Sequence, residues 1–297
     1  MKEPLLNIEN LTVSFDMYDR GFEKKRLEVI HSLSLQIYDG EILAVVGASG
    51  SGKSLLANAV LGILPGNSQV SGEMIYDGIM LDADRQKKLR GKEILLIPQS
   101  VDYLDPLMRV GKQVRGISGT AEKVKKAFRR YNLGEDVEKM YPFQLSGGMA
   151  RRVLISTAVM ADSRLIIADE PTPGLDTDMA METLSNFREL ADKGCGVLLI
   201  THDIDLAFNV ADRIAVFYAG TVVEECPVED FKAGKEALRH PYSKAFIDAL
   251  PQNDFKPIEG TQPYAGNLPE GCLFAPRCPY RTDKCAENIE MRELRGG

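Results

Sequence analysis

The stretch "EILAVVGASGSGKSLLANAVLG", residues 41–62, constrains the fold of this chain more than any other. "ILAVV" is apolar without alternation, as a strand buried on both faces must be, whereas a half-buried strand alternates. A glycine-rich loop follows it directly, and "SLLANAVLGIL" then reads as a helix closed by Pro65 and Gly66. Strand, glycine loop and helix in that order form a nucleotide-binding layout. Within it "GASGSGKS", Gly47 to Ser54, matches G-x-x-x-x-G-K-S/T. The chemistry needs glycines because successive backbone N–H groups must turn inward onto phosphate oxygens, and a Cβ would block that conformation. Gly47, Ser49, Gly50, Ser51 and Gly52 are read as the cradle, Lys53 as the group that reaches the β and γ phosphates, and Ser54 as a Mg²⁺ ligand.

Ahead of this unit, "LLNIENLTVSF" and "EVIHSLSLQI" alternate apolar and polar residues, the pattern of two half-buried antiparallel strands. A further β stretch, "SGEMIYDGIML", precedes "KEILLIPQS". From about Asp102 to Met160 the pattern turns helical. There "TAEKVKKAFRRYNLG" carries Val124, Ala127, Phe128 and Tyr131 at i, i+3, i+4 and i+7, with Thr120 to cap and Gly134 to stop. Buried strands return at "RLIIAD", "GVLLITHD" and "RIAVFYAG", separated by helical "METLSNFRELADKG" and "DIDLAFNVAD". Such alternation implies a mostly parallel sheet. Past about Gly234 the chain is rich in Pro, Asn and Gly and reads as a small appended segment. The expected division is residues 1–234, with a helical section at about 102–160, and residues 235–297.

Two further motifs carry chemistry. "LIIADEP", residues 165–171, ends a buried strand in adjacent carboxylates. Behind a phosphate loop, Asp169 fits the partner of Mg²⁺ and Glu170 the group that polarises an attacking water; by itself such a pair also reads as a solvated loop start. "LSGGMARR", residues 145–152, places Ser146, Gly147 and Gly148 at a helix start. A hydroxyl and bare N–H groups at the positive end of a helix dipole make an anion site, with a plain N-capped helix as the alternative.

In this order the phosphate loop, "LSGGM", "LIIADEP" and "ITHD" make residues 5–225 resemble the ATPase subunit of an ABC transporter. The fold class implied is α/β: a P-loop NTPase (RecA-like) core with an antiparallel β subdomain, an inserted helical subdomain and a short C-terminal extension. The resemblance also implies that each nucleotide is sandwiched between the phosphate loop of one subunit and the signature motif of the other, in a head-to-tail dimer that closes on ATP. By the same resemblance, Gln99 in "IPQS" matches the glutamine that senses Mg²⁺ and water and faces the membrane subunits. Asp176 in "PGLD" matches the aspartate of the dimer interface, His202 the histidine that contacts the γ phosphate, and Phe15 the adenine-stacking aromatic. From the residues alone, Phe15 is equally a core residue, Gln99 a surface amide and His202 a cap on the next helix. Lys53, Ser54, Gln99, Asp169, Glu170 and His202 are all present, so hydrolysis is expected and a non-catalytic regulatory subunit is not. One departure is "PTPGLD", where the family more often has Ser-Ala or Thr-Ala before Leu-Asp.

Several stretches resemble the peptide and nickel import branch of that family: "YPFQLSGGM" with Met149, "YLDPLMRVG", "HPYSKAFIDALP", and "GCLFAPRCPYRTDKC" near the end. In some members of the branch this last region is associated with a four-cysteine iron–sulfur cluster, so Cys272, Cys278 and Cys285 become candidate ligands of a 4Fe-4S cluster. Cys226 is the candidate fourth and Cys195 reads as core. The alternative is a Pro-rich docking segment whose thiols are small apolar fillers.

Composition limits the rest. The 297 residues are 44% hydrophobic and 27% charged, a globular balance, and their apolar runs are far shorter than the roughly 18–20 residues of a membrane-spanning helix. "MKEPLLNIEN" shows no secretory signal, so the cytoplasm is the expected compartment. A net charge of −7 argues against nucleic acid as a partner. Five cysteines, an odd number, make a disulfide framework the least expected use of them. The resemblance implies a peripheral subunit on the cytoplasmic face of the membrane, using ATP and Mg²⁺. It would pair with a sister ATP-binding subunit, or with a second copy of itself, beneath two transmembrane permease subunits, and be served indirectly by an extracytoplasmic solute-binding protein. Import of another small solute, and a soluble ABC ATPase with no transport role, are the competing readings.

Overall fold

The computed structural model describes residues 2–18, 23–116, 119–160, 163–250, 253, 255–287 and 291–297. Ile117 and Ser118, in the expected helical section, and Pro251, at the end of "HPYSKAFIDALP", lie outside the described residues. The chain opens with the antiparallel pair β1 (Leu6–Tyr18) and β2 (Lys24–Ile37), then β3 (Ile42–Val46), the glycine loop and α1 (Lys53–Leu61). β4 (Ser68–Tyr76), β5 (Ile79–Met80), α2 (Ala83–Leu89) and β6 (Ile94–Ile97) follow. The helical section contains α3 (Val110–Arg115), α4 (Ala121–Arg130) and α5 (Gly147–Met160). Then come β7 (Leu165–Asp169), α6 (Thr177–Asp192), β8 (Gly196–Thr201), α7 (Ile204–Phe208), β9 (Arg213–Tyr218), β10 (Thr221–Pro227), α8 (Val228–Lys232) and α9 (Pro241–Asp248).

These strands make two sheets. One is antiparallel, in the order β2-β1-β4-β5; the other runs β10-β9-β3-β8-β7-β6 and is parallel except for β10, which pairs antiparallel with β9. The unbroken apolar runs have a physical cause, because alternate residues of each parallel strand feed two different cores. On one face Ile42, Ala44, Val46, Ile166, Val197, Leu199, Ile214 and Val216 pack under the helical section. On the other, Leu43, Val45, Leu165, Ile167, Leu198, Ile200 and Phe217 pack against α1 and the antiparallel sheet. Each of the larger side chains contributes about 1.5–3 kcal/mol by burial, so a polar residue is costly anywhere but at a strand end.

Helix boundaries differ from expectation for local reasons. α1 ends at Gly62, whose φ of 62° places it in the left-handed cap conformation, before Pro65 and Gly66 are reached. Thr120 does cap α4, its hydroxyl accepting the Lys123 N–H at 3.3 Å, and Val124, Ala127, Phe128 and Tyr131 are all buried. That helix stops at Arg130 rather than at Gly134, with Asn132 in the left-handed region (φ 50°) just past it and the buried Tyr131 hydroxyl accepting from Asn186 at 2.6 Å. α6 starts earlier than its apolar pattern, at Thr177, since the Asp176 carboxylate accepts the Met179 N–H at 2.9 Å. β10 escapes the sequence reading because one of its inward residues, between Val222 and Cys226, is Glu224.

That buried carboxylate docks the C-terminal segment. It accepts the backbone N–H groups of Arg239 and His240, each at 2.8 Å. Leu238, Tyr242, Ile247 and Phe274 then join the same core as Val216. At the start of α9, His240 caps the helix by accepting the Tyr242 N–H on Nδ1 at 3.1 Å. Burial pushes the His240 pKa down to about 4, with Glu224 opposing. The folded protein therefore holds this imidazole neutral, while the unfolded chain takes up a proton near pH 6.5. Its contribution to stability is complete above that value and is lost as pH falls towards about 4. In urea titrations the midpoint should drop across this window, and His240→Asn, which keeps an acceptor at the cap, should flatten the drop; an unchanged slope in the variant would refute the assignment.

Candidate nucleotide site

The phosphate loop hangs between β3 and α1, at the edge where the parallel strands end. Val46 is in register with Thr201 of β8 and Val216 of β9. Three glycines are required by geometry: Gly50 and Gly52 have φ of 75° and 105°, and a Cβ on Gly47 would lie 2.3 Å from the Phe217 carbonyl oxygen. Among the described residues no side chain caps the N-terminus of α1, where backbone N–H groups suit an anion. Lys53 is buried and its Nζ donates to the carbonyls of Gly47 and Ala48, at 2.9 Å each. Burial lowers its pKa, while Glu170 and Asp169 oppose the shift. Within the same loop the buried Ser51 hydroxyl finds no partner among the described residues.

Asp169 is the last residue of β7 and is buried, so desolvation raises its pKa; the Ser54 hydroxyl donating to it works the other way. Its Oδ1 has no hydrogen-bond partner among the described residues. A buried oxygen left unpaired beside a serine hydroxyl and a phosphate-loop lysine suits a hard divalent cation, and Ser54 with Asp169 fits Mg²⁺. Glu170 follows in the left-handed region (φ 48°), a conformation that costs a non-glycine residue about 1–2 kcal/mol. Its N–H is held by the Ile200 carbonyl at 2.9 Å, and its Oε2 lies 2.9 Å from Nδ1 of His202, which follows β8. The strand edge thus gathers Lys53, Ser54, Asp169, Glu170 and His202: a cation, a metal-fitting pair, and a carboxylate tied to an imidazole.

The other expected residues lie around this group. Gln99 is exposed just past β6, and its carbonyl accepts from Arg151 of α5. Ser146 and Gly147 are exposed at the start of α5, where the Ser146 hydroxyl accepts the Met149 N–H at 3.3 Å. A Cβ built on Gly148 would lie 3.4 Å from the Gly174 carbonyl oxygen, of "PTPGLD". Asp176, just past Gly174, caps α6 near them. Phe15 is half-buried on β1, opposite Leu27 and Ser68. His202 does not cap the next helix; Asp203 does, accepting the Leu206 N–H at 3.0 Å.

Arg151 was missed by motif reading. It is buried, donates to the Pro98 carbonyl at 2.8 Å and to that of Gln99, and has its pKa lowered by desolvation against the pull of Asp169 and Glu170. The available signal was its place on the apolar stripe of α5 with Leu154, Ile155 and Ala158, all buried. Its guanidinium joins the signature helix to the Gln99 loop and adds positive potential behind the carboxylates. Arg151→Met removes these bonds and keeps the volume. ATP hydrolysis should fall about 10-fold or more, the scale of lost charged hydrogen bonds, with binding of a fluorescent ATP analogue nearly unchanged. Equal losses in binding and turnover would point instead to general unfolding.

The iron–sulfur expectation is not met. Among the described residues no group of three or more His, Cys, Asp or Glu side chains is gathered so that it could hold a metal ion. Cys272 and Cys278 pack against the main core, whereas the Cys285 thiol accepts from the Thr282 N–H at 3.4 Å. Cys226 is buried in β10, near Gly297 and Arg239, and Cys195 is buried, as expected.

Comparison with known proteins agrees with this geometry. Residues 30–173 match the ABC transporter family, and residues 223–285 match the C-terminal region of oligopeptide/dipeptide transporters. The chain is 35% identical to the oligopeptide transport ATP-binding protein AppD of Bacillus subtilis, over 96% of this chain and 91% of that protein. It is also 35% identical to the dipeptide transport ATP-binding protein DppD of Haemophilus influenzae, over 95% and 90% respectively. Among solved structures, the dimeric ATP-binding cassette MJ0796 in a post-hydrolysis state bound to ADP and Pi superposes with a TM-score of 0.66 at 27% identity, covering 75% of this chain and 98% of that one. By sequence, fold and site geometry, this chain belongs to the ATP-binding subunits of ABC transporters, ATPases on a P-loop NTPase fold, in the branch of the oligopeptide and dipeptide transporters.

Proposed function

We propose that this subunit hydrolyses ATP to drive import of oligopeptides or dipeptides across a membrane. The observation that carries the reading is the Glu170–His202 pair, 2.9 Å apart, beside the unpaired Asp169 oxygen and the Lys53 loop. Peptides are favoured over nickel because the relatives that match over nearly the whole chain are named for peptides. In this reading Gly47, Ser49, Gly50, Ser51 and Gly52 wrap the phosphates, Lys53 neutralises the β and γ groups, and Phe15 stacks on adenine. Ser54, Asp169 and Gln99 hold Mg²⁺, which when bound offsets the charge of the transferred phosphoryl group. Glu170 accepts the proton of the attacking water, and His202 orients Glu170 and faces the γ phosphate.

Ser146 and Gly147, exposed at the head of α5, and the half-buried Gly148 complete the nucleotide site of a second subunit, with Asp176 at the same interface. A sister ATP-binding subunit is the favoured partner and a second copy of this chain the alternative. Residues 1–234 form the ATP-binding unit, with its helical section near 102–160, and residues 235–297 the accessory segment. Two permease subunits would dock beside Gln99. There the loop 104–109 is ordered by the Gln113 amide, which bonds the backbone of Asp105 at 2.9 Å and of Met108 at 2.8 Å, yet it displays Leu107 88% exposed. Phe143, 76% exposed, stacks on Tyr141 close by, so an ordered apolar surface faces outward. This assembly sits on the cytoplasmic face of the membrane and receives cargo delivered by an extracytoplasmic solute-binding protein; its acidity speaks against nucleic acid.

Glu170→Gln tests the chemistry. The variant should bind ATP as the wild type does, lose at least 100-fold in phosphate release, the scale of a lost general base, and accumulate a closed dimer seen by size-exclusion chromatography. Wild-type phosphate release from that variant would overturn the assignment of Glu170.

A further inference from the structure

The helical section carries a charge opposite to that of the rest of the chain. Residues 106–130 hold eight Lys and Arg against one acid, Glu122, a net of +7 in a chain whose total is −7, so the other residues together carry −14. Charge of one sign gathered on one element makes a directional field that the net charge conceals.

The structure shows where these cations stand. α4 turns Val124, Ala127 and Phe128 into the core, which leaves Lys123, Lys125, Lys126 and Arg129 on its exposed face. Arg129 reaches Glu135 at 3.4 Å, and the half-buried Arg130 reaches Glu189 at 2.9 Å. Lys123, Lys125 and Lys126 make no ion pair among the described residues, although Glu122 lies one turn before Lys126. Their spacing works against the helix. Lys123 and Lys126 are three residues apart and Lys125 and Arg129 four, so like charges adjoin on one surface, and Lys123 sits in the first turn, at the positive end of the helix dipole. Burial of the apolar face sustains the helix in spite of this. An anionic surface outside would relieve both effects.

α3 continues the pattern next to apolar side chains. It shares a core with α4 through Val110, Val114, Val124 and Phe128, so the two helices belong to one packed section. Arg109, at the start of α3, and Lys112 line an open hollow of about 380 Å³ with Leu107, Met108 and Tyr141, in which Asp105 is the one acid. Cations interleaved with exposed apolar side chains suit a lipid interface, where the apolar parts sink and the charges meet headgroups. The outer face of α4 offers neither an aromatic ring to stack on bases nor an amide to read their edges, which disfavours nucleic acid.

We propose that the exposed face of α4, with Lys123, Lys125 and Lys126, is a docking surface for the anionic headgroups of a lipid bilayer and holds the helical section against the membrane beside the permeases. The inference rests on the reading of this chain as a peripheral transport subunit and adds a lipid contact to it. The negative charge elsewhere on the chain repels the same bilayer, so the attraction also orients the subunit.

Co-sedimentation of the purified full chain with vesicles tests this. The wild type should bind vesicles of phosphatidylcholine and phosphatidylglycerol, should not bind vesicles of phosphatidylcholine alone, and should be released by salt. Lys123→Gln, Lys125→Gln and Lys126→Gln, combined in one chain, keep good helix formers at all three positions. That variant should bind the anionic vesicles about 10–100-fold more weakly, the scale of three surface lysines, with ATP hydrolysis in the absence of vesicles unchanged. Arginine at the same three positions should restore binding. Wild-type binding by the Gln variant, or equal binding of the wild type to neutral vesicles, would overturn the proposal. So would tighter retention of double-stranded DNA than of anionic vesicles at the same salt, which would assign the face to nucleic acid. Absence of ATP hydrolysis in the wild type would count against the reading of the nucleotide site, whereas the vesicle results judge the lipid surface by themselves.

Discussion

A parallel strand buried on both faces can carry polar chemistry only where it ends, and this constraint organises the molecule. β3, β7, β8 and β9 run in one direction, in register, so Val46, Asp169, Thr201 and Tyr218 come out at one edge. The next residues are Gly47, Glu170, His202 and Ala219, and each of the first three belongs to the candidate nucleotide site. Lys53 is then delivered to the same edge by α1, and Arg151 by α5 from the opposite core. Ligands of open α/β sheets sit at the carboxyl ends of strands for this reason. In this chain both hydrophobic cores are needed to fix where that edge lies.

The edge stores electrostatic tension that a ligand relieves. Two cations, Lys53 and Arg151, are held where burial disfavours their charge, and Asp169 where burial disfavours its own. None is fully satisfied: Asp169 Oδ1 and Arg151 Nε lack hydrogen-bond partners among the described residues, and Lys53 settles for loop carbonyls. Glu170 adds backbone strain, sustained because its N–H is locked to Ile200 while its carboxylate turns to His202. Groups held part-way to desolvation need little reorganisation when a phosphate and a cation arrive, the arrangement that makes electrostatic stabilisation efficient.

Much of this was legible in the sequence because it rests on local pattern. Two-faced strands announced themselves as unbroken apolar runs, the glycine loop by spacing, and α4 by a stripe whose predicted members are all buried. What escaped depends on contacts between distant residues. β10 was hidden by an inward Glu224 that makes sense only with the Arg239 and His240 N–H groups against it. Arg151 was invisible because one of two adjacent arginines faces inward, and only the Pro98 and Gln99 carbonyls explain which. The left-handed backbone of Glu170 has no sequence signature of its own. Spacing also misled: Cys272 is near enough to Cys278 and Cys285 to sense both, yet among the described residues the thiols form no metal-holding group, two packing against the core and one accepting from Thr282.

The segment past Gly234 shows how far local pattern falls short. Its Pro-, Asn- and Gly-rich composition reads as an appendage, but its aromatic residues occupy the same core as β9. A loose appendage would leave the phosphate loop indifferent to it. Here the loop rests on the Phe217 carbonyl, β9 carries Tyr218 next to it, and Tyr218 is packed by Tyr242 and Phe274 and bonded by Arg277. No link in that series is a long, solvated side chain free to absorb a shift; they are buried rings, a clamped guanidinium and backbone. Close-packed interiors transmit displacement rather than damp it. The glycine loop of the candidate nucleotide site and the segment that marks the branch are therefore mechanically one unit.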